Sequence, residues 1–239
     1  MVKKFSFFIL ALSLAGTFAL QGCSSKQSSS SNNEEASIDK EYEEEAVPDK
    51  VDSPKPANVG AKVSPNGIFK NLPIYSDAKS PDNHFIPSGW MGDYGDIKYN
   101  DKYMVNPHGG TTSIQIIYNN NATQGARWSG IYWQNPPNNW GTRPGGYDLT
   151  GSKKLTFWAR GEKGGERIEE FKIGGITGEY ADSDVAGIGP VVLTTEWQQF
   201  TIDLEGKDLS SISGGFCWAT NLDVNPDGAT FYLDDIRYE

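Results

Sequence analysis

Gly228 to Glu239 reads G-A-T-F-Y-L-D-D-I-R-Y-E. Phe231, Leu233 and Ile236 supply apolar anchors, and Thr230 adds β-branching, so the stretch is expected to be a strand. Its alternation breaks at Asp234-Asp235, because neighbouring strand residues face opposite sides of a sheet. Strict alternation turns one of the two carboxylates inward, where an unpaired charge is costly. A cation would remove that cost, and Ca²⁺ is the hard, oxygen-seeking candidate. The alternative is that the alternation slips and both carboxylates sit at a wet strand end.

The same residues carry a resemblance. Y-L-D-D-I-R-Y resembles the last strand of carbohydrate-binding modules built on the galactose-binding-like β-jelly roll. Three further runs are similar to that group. They are F-I-P-S-G-W-M-G-D at Phe85–Asp93, Y-D-L-T-G-S-K-K-L-T-F-W-A-R-G-E at Tyr147–Glu162, and L-T-T-E-W-Q-Q-F-T-I-D-L at Leu193–Leu204. The resemblance implies an all-β jelly-roll sandwich whose opening strand lies in Phe85–Asp93. It also implies a structural Ca²⁺ held in part by Asp234, with Asp93 and Asp96 of G-D-Y-G-D as the next ligands. A glycan is the implied ligand class, although one fold serves many ligands.

The residues before this domain have a different character. Met1-Val-Lys-Lys is a short basic start, and Phe5–Leu20 is an apolar run of 16 residues. That is too short and wrongly flanked for a spanning helix. It ends in Leu20-Gln21-Gly22-Cys23, which resembles a bacterial lipoprotein signal with its lipobox. Residues 1–22 are then a signal peptide and Cys23 the lipidated residue. The expected location is the cell envelope, lipid-anchored outside the cytoplasm, at an outer membrane or cell surface. Ser24 to about Pro65 lacks apolar periodicity. It opens Ser/Asn-rich and holds nine acidic residues against two lysines between Glu34 and Asp52. Such composition does not bury enough surface to fold, so residues 23–65 are read as a self-repelling spacer.

Residues 66–239 form the third region, aromatic and glycine-rich. Strands are expected over Ser113–Tyr118, Ala126–Gln134, Lys154–Arg160, Phe171–Ile176, Gln198–Leu204, Gly215–Ala219 and Thr230–Tyr238. Turn chemistry such as N-P-P-N-N-W-G and N-P-D-G separates them. Many short strands without a confident helix point to a β-sandwich. The whole chain carries a net charge of −10 and no basic stripe, which excludes nucleic acid as a partner. With Cys23 lipidated, Cys217 stands alone as a small buried apolar residue, and His84 and His108 read as loop residues. A monomer is expected.

Sugars offer C–H faces to aromatic rings and hydroxyls to polar side chains. In Lys154–Arg160, Leu155, Phe157 and Ala159 form the core set, leaving Trp158 and Arg160 outward. In Ala126–Gln134 one set is Ser129, Ile131 and Trp133. The other is Trp128, Gly130, Tyr132 and Gln134, a candidate platform in which Gly130 admits a ligand to the backbone. Periodicity does not say which set is inner. Trp140, beside Arg143 in a polar loop, is a further candidate contact, and Tyr180, Asp182 and Asp184 form an acidic loop that rims a site, ligates a cation or is simply solvated. No nucleophile or metal-His motif stands out, so a non-catalytic, membrane-tethered glycan binder is expected. An envelope scaffold with an exposed apolar patch and a small jelly-roll lyase or hydrolase remain as alternatives.

Overall fold

The computed structural model describes residues 69–239, so the expected signal peptide, Cys23 and the expected spacer lie outside the described residues. Thirteen strands follow one another: β1 (Leu72–Tyr75), β2 (Ile86–Gly92), β3 (Ile97–Tyr103), β4 (Ser113–Tyr118), β5 (Trp128–Gln134), β6 (Lys154–Gly161), β7 (Arg167–Ile168), β8 (Glu170–Gly174), β9 (Val185–Ile188), β10 (Val191–Val192), β11 (Gln198–Asp203), β12 (Gly214–Asn221) and β13 (Ala229–Tyr238). A single 3₁₀ turn, Tyr94–Asp96, joins β2 to β3.

Two antiparallel sheets face each other as a jelly-roll sandwich. The first sheet runs β11-β6-β13-β4-β3, with β1 added beside β13, and the second runs β2-β5-β12-β8-β9. β10 pairs with β7 in a separate two-stranded ribbon. The chain's last strand lies at the centre of the first sheet, between β6 and β4. A central strand has to satisfy both neighbours and one buried face, which accounts for its inward anchors Phe231, Leu233 and Ile236.

The core is aromatic where the sheets meet. Phe157 of the first sheet lies 4.7 Å from Phe171 and 5.2 Å from Phe216 of the second, ring centre to ring centre. Phe200 stacks on Phe157 at 5.5 Å, and Trp133 meets Phe216 edge-on at 5.5 Å. These contacts name the inner faces. Leu155, Phe157 and Ala159 point in from β6, and Ser129, Ile131 and Trp133 point in from β5, all buried.

All seven expected strands are present, with ends moved by two residues at most. The opening strand is corrected: Phe85–Asp93 holds β2, and the short L-P-I-Y of β1 precedes it against β13. β3 escapes a reading by period because its pairing with β4 shifts register between Asn100 and Tyr103. Phe157→Ala is expected to cost about 3–5 kcal/mol, because it leaves a cavity between both sheets. Urea unfolding followed by tryptophan fluorescence measures it, and a loss below about 1 kcal/mol would contradict this packing.

Candidate functional site

The adjacent carboxylates of β13 resolve through a β-bulge. Leu233 pairs with Ala159 and Asp234 with Trp158, and the register then shifts before Arg237. Asp235 occupies the left-handed region at φ 46°, which Asp tolerates better than most residues. The extra residue lets Leu233 and Ile236 both enter the core, while Asp234 and Asp235 lie on the side away from it, Asp234 fully buried beneath the β3–β4 loop. One of the two carboxylates, Asp234, is fully buried as the alternation requires, but beneath the β3–β4 loop and not between the sheets.

Both acids hold one loop, the β3–β4 connection. Asp234 Oδ2 accepts hydrogen bonds from the N–H groups of His108 (2.9 Å) and Gly109 (3.2 Å), and Oδ1 accepts from its neighbour's N–H, Asp235 (2.8 Å). Asp235 Oδ2 lies 2.7 Å from His108 Nδ1. Burial pushes the Asp234 carboxyl up from 3.8 to about 6, outweighing the donors aimed at it. The other expected ligands serve a different loop. Asp93 accepts from the N–H groups of Gln124, Ala126 and Arg127, and Asp96 accepts from Thr123 and Asn121. Asp234 lies beside the start of β4 and Asp93 and Asp96 beside its end, so the three carboxylates are not gathered around one cation. Among the described residues no three His, Cys, Asp or Glu side chains are grouped so as to hold a metal ion.

Beside this loop the outer face of the first sheet carries an aromatic and polar cluster. His108 stacks on Trp158 with ring centres 3.7 Å apart and planes 17° apart. Trp197, just before β11, meets His108 edge-on at 6.1 Å and donates its indole N–H to the carbonyl of Asn106 (3.0 Å). The Arg160 guanidinium lies 3.8 Å from the centre of the Tyr232 ring and 5.3 Å from that of Trp197. Its Nε is buried and hydrogen-bonds nothing among the described residues. Tyr232 donates to Glu162 Oε2 (2.6 Å), accepts from Gln115 Nε2 (3.2 Å), and packs against Tyr103 at 5.0 Å. A guanidinium between two rings is held rigid and only partly hydrated, which favours recognition of oxygen-rich groups.

The residues expected to bind a ligand divide between opposite sides of the sandwich. Trp158 and Arg160 lie on the outer face of the first sheet. Trp128, Tyr132, Gln134 and Trp140 lie on that of the second. The β5 set does face outward, but the chain fills its own platform. Residues 135–146 fold back so that Asn139 accepts from Gln134 Nε2 (3.0 Å) and Trp140 meets Tyr132 edge-on at 5.8 Å. Tyr132 is 5% exposed and Gln134 fully buried. Gly130 makes room for protein, not ligand: a Cβ there would stand 2.5 Å from the Trp218 carbonyl and 2.9 Å from the Met91 methyl. Trp128 and Trp140 are each 40% exposed. Asp182, from the acidic loop, is half-buried and accepts from the N–H groups of Ile176, Ser213 and Gly214.

Sequence reasoning missed Tyr103, His108, Gln115, Glu162, Trp197 and Tyr232 as members of one cluster. Tyr232 was accessible to it, since it sits between the inward anchors Phe231 and Leu233. His108 was not, because 126 residues separate it from the carboxylate that holds its N–H.

No protein-family model matches the chain, and no curated protein matches its sequence. Solved structures similar to it include the family 30 carbohydrate-binding module of a cellulosomal cellulase from Clostridium thermocellum. That likeness has a TM-score of 0.47 and 17% identity, over 72% of this chain and 98% of that one. A family 11 module from the same organism, in complex with a β-1,3-1,4-mixed-linked tetrasaccharide, gives 0.45 and 13% over 70% and 94%. A family 29 module gives 0.42 and 9% over 71% and 91%.

The raised Asp234 fixes the sign of a pH effect. The folded state holds this proton more tightly than the unfolded chain, so stability falls as pH rises from about 4 to about 6. Asp234→Asn removes that titration. The stability of the native protein relative to the variant is expected to decline across that window and stay level above it. Urea melts at stepped pH measure this, and a parallel pair of curves would contradict it.

Proposed function

We propose that this domain is a non-catalytic carbohydrate-binding module, with its site on the outer face of the first sheet. The observation that carries the reading is Arg160, packed over Tyr232 and within reach of Trp197, with its Nε unpartnered among the described residues. A buried donor without an acceptor is costly in a folded chain and is expected where a ligand supplies oxygen. Around it stand rings to meet C–H faces and, in Gln115 and Glu162, groups to meet hydroxyls. From β11 to β3 the face spans four inter-strand gaps, roughly 19 Å, which suits several linked sugars better than one.

The carboxylates of this face already have structural partners. Asp234 is held by backbone N–H groups, Asp235 by His108 and Glu162 by Tyr232. Glycoside hydrolysis needs an acid and a base or nucleophile across the scissile bond, and this arrangement supports binding over turnover. We further propose that Cys23 is lipidated and that residues 23–65 hold the domain away from the membrane as a monomer. The basic start, the apolar run Phe5–Leu20 and the closing Leu20-Gln21-Gly22-Cys23 are the sequence features that support export and lipidation.

Intrinsic tryptophan fluorescence of the protein, titrated with soluble polysaccharides, tests the binding. Because His108–Asp235 has the geometry of an oriented base, reducing ends and unsaturated products are assayed in parallel. The expected result is a saturable change without product, weakened at least about tenfold by Trp197→Ala or Arg160→Gln and unchanged by Trp140→Ala. New product would make the protein an enzyme, and loss in Trp140→Ala alone would move the site to the other sheet. Membrane fractionation tests the tether: Cys23→Ser is expected to appear in the soluble fraction, and continued anchoring would contradict lipidation.

A further inference from the structure

Residues 104–112, the connection between β3 and β4, form a strap across the proposed site. The strap leaves the sheet edge at Tyr103, reaches Trp197 through Asn106, crosses Trp158 and the two aspartates at His108, and returns to β4. Not one of these nine residues is buried, and Met104 and Val105 are largely solvent-exposed. Polar contacts and a single ring stack therefore hold the strap, and segments with so few apolar contacts open at low free energy. Its near end turns at Asn106, with φ 52°, and its far end at Gly110, with φ 56°. Beyond Gly110, Asp77 Oδ1 pins Thr111 and Thr112 through both N–H groups at 2.8 Å, so movement is confined to the stretch between.

His108 lies flat on Trp158 at the spacing of two stacked rings, on the indole face that a sugar ring would use. The imidazole brings a planar ring and a polar edge to that place, as a sugar brings a C–H face and hydroxyls. We propose that His108 is an internal stand-in for the ligand, and that a pyranose ring displaces it from Trp158 when a glycan binds. This rests on the carbohydrate-binding reading above. It adds a hidden Trp158 subsite, next to the position held by Arg160 and Trp197, and makes the strap a competitor for it. Asp234 and Asp235 set how firmly the competitor is held.

The stack supplies its own readout. Ring protons lying over an indole face resonate upfield, and the chain has only two histidines, so His84→Gln identifies the His108 signals. The probes are a soluble mixed-linked β-glucan and a soluble xylan, added to the full-length protein. The expected result is that a bound probe moves the His108 ring protons downfield to ordinary positions. His108→Ala is expected to bind about three- to tenfold more tightly, the worth of one aromatic stack, and the gain is expected to vanish in His108→Ala/Trp158→Ala. Binding with the His108 signals still upfield would overturn the stand-in while leaving the glycan site in place. No binding by either the native protein or His108→Ala, to either probe, would overturn both.

Discussion

Two carboxylates on one side of a strand, where alternation allows one, are the constraint from which the rest of the face follows. The bulge at Asp235 keeps Leu233 and Ile236 in the core and puts both acids on the other side of the strand, Asp234 buried under the β3–β4 loop. Three N–H groups and one imidazole then surround them. A charge that would be intolerable in the core becomes an anchor for a loop that has no core of its own. The raised Asp234 shows the tension in this arrangement: burial disfavours its charge, and the backbone donors recover only part of that cost.

The aromatic core allows the outer face to be irregular. Phe157, Phe171, Phe200 and Phe216 lock the sheets together from the inside, so β6 and β13 stay paired on both sides of the bulge while their outward residues serve other ends. Arg160 depends on that rigidity. Its guanidinium is trapped between rings from β13 and from the entry to β11, and no ion pair lowers its energy among the described residues. The second sheet solved the same problem in the opposite way. There Trp140 and residues 135–146 cover the outward Tyr132 and Gln134, and a potential platform is filled by the chain itself.

Period-two reading carried the architecture well, because the sandwich has one buried face per strand. It separated Phe157 from Trp158 and Ile131 from Tyr132 correctly. It failed where the pattern itself is broken: at the bulge of β13, in the shifted β3, and in short edge strands such as β9. The site was less legible, for a physical reason. Trp158 and Arg160 were found because they share one strand, but their partners arrive from β3, β4, β13 and the loops at Asn106 and Trp197. Spacing does not report such meetings. Asp93 and Asp96 show the converse: the resemblance placed them beside Asp234, whereas they hold the loop that enters β5.

The central claim is that a glycan contacts the Arg160 face and not the Trp140 face. The seven tryptophans provide separate probes for this, because each indole N–H gives one resolved nitrogen–proton resonance. A titration of the ¹⁵N-labelled protein with soluble mixed-linked β-glucan decides it. The account predicts that the resonances of Trp197 and Trp158 move with the ligand while those of Trp128 and Trp140 stay fixed. Movement of Trp128 or Trp140, with Trp197 and Trp158 unchanged, would contradict it.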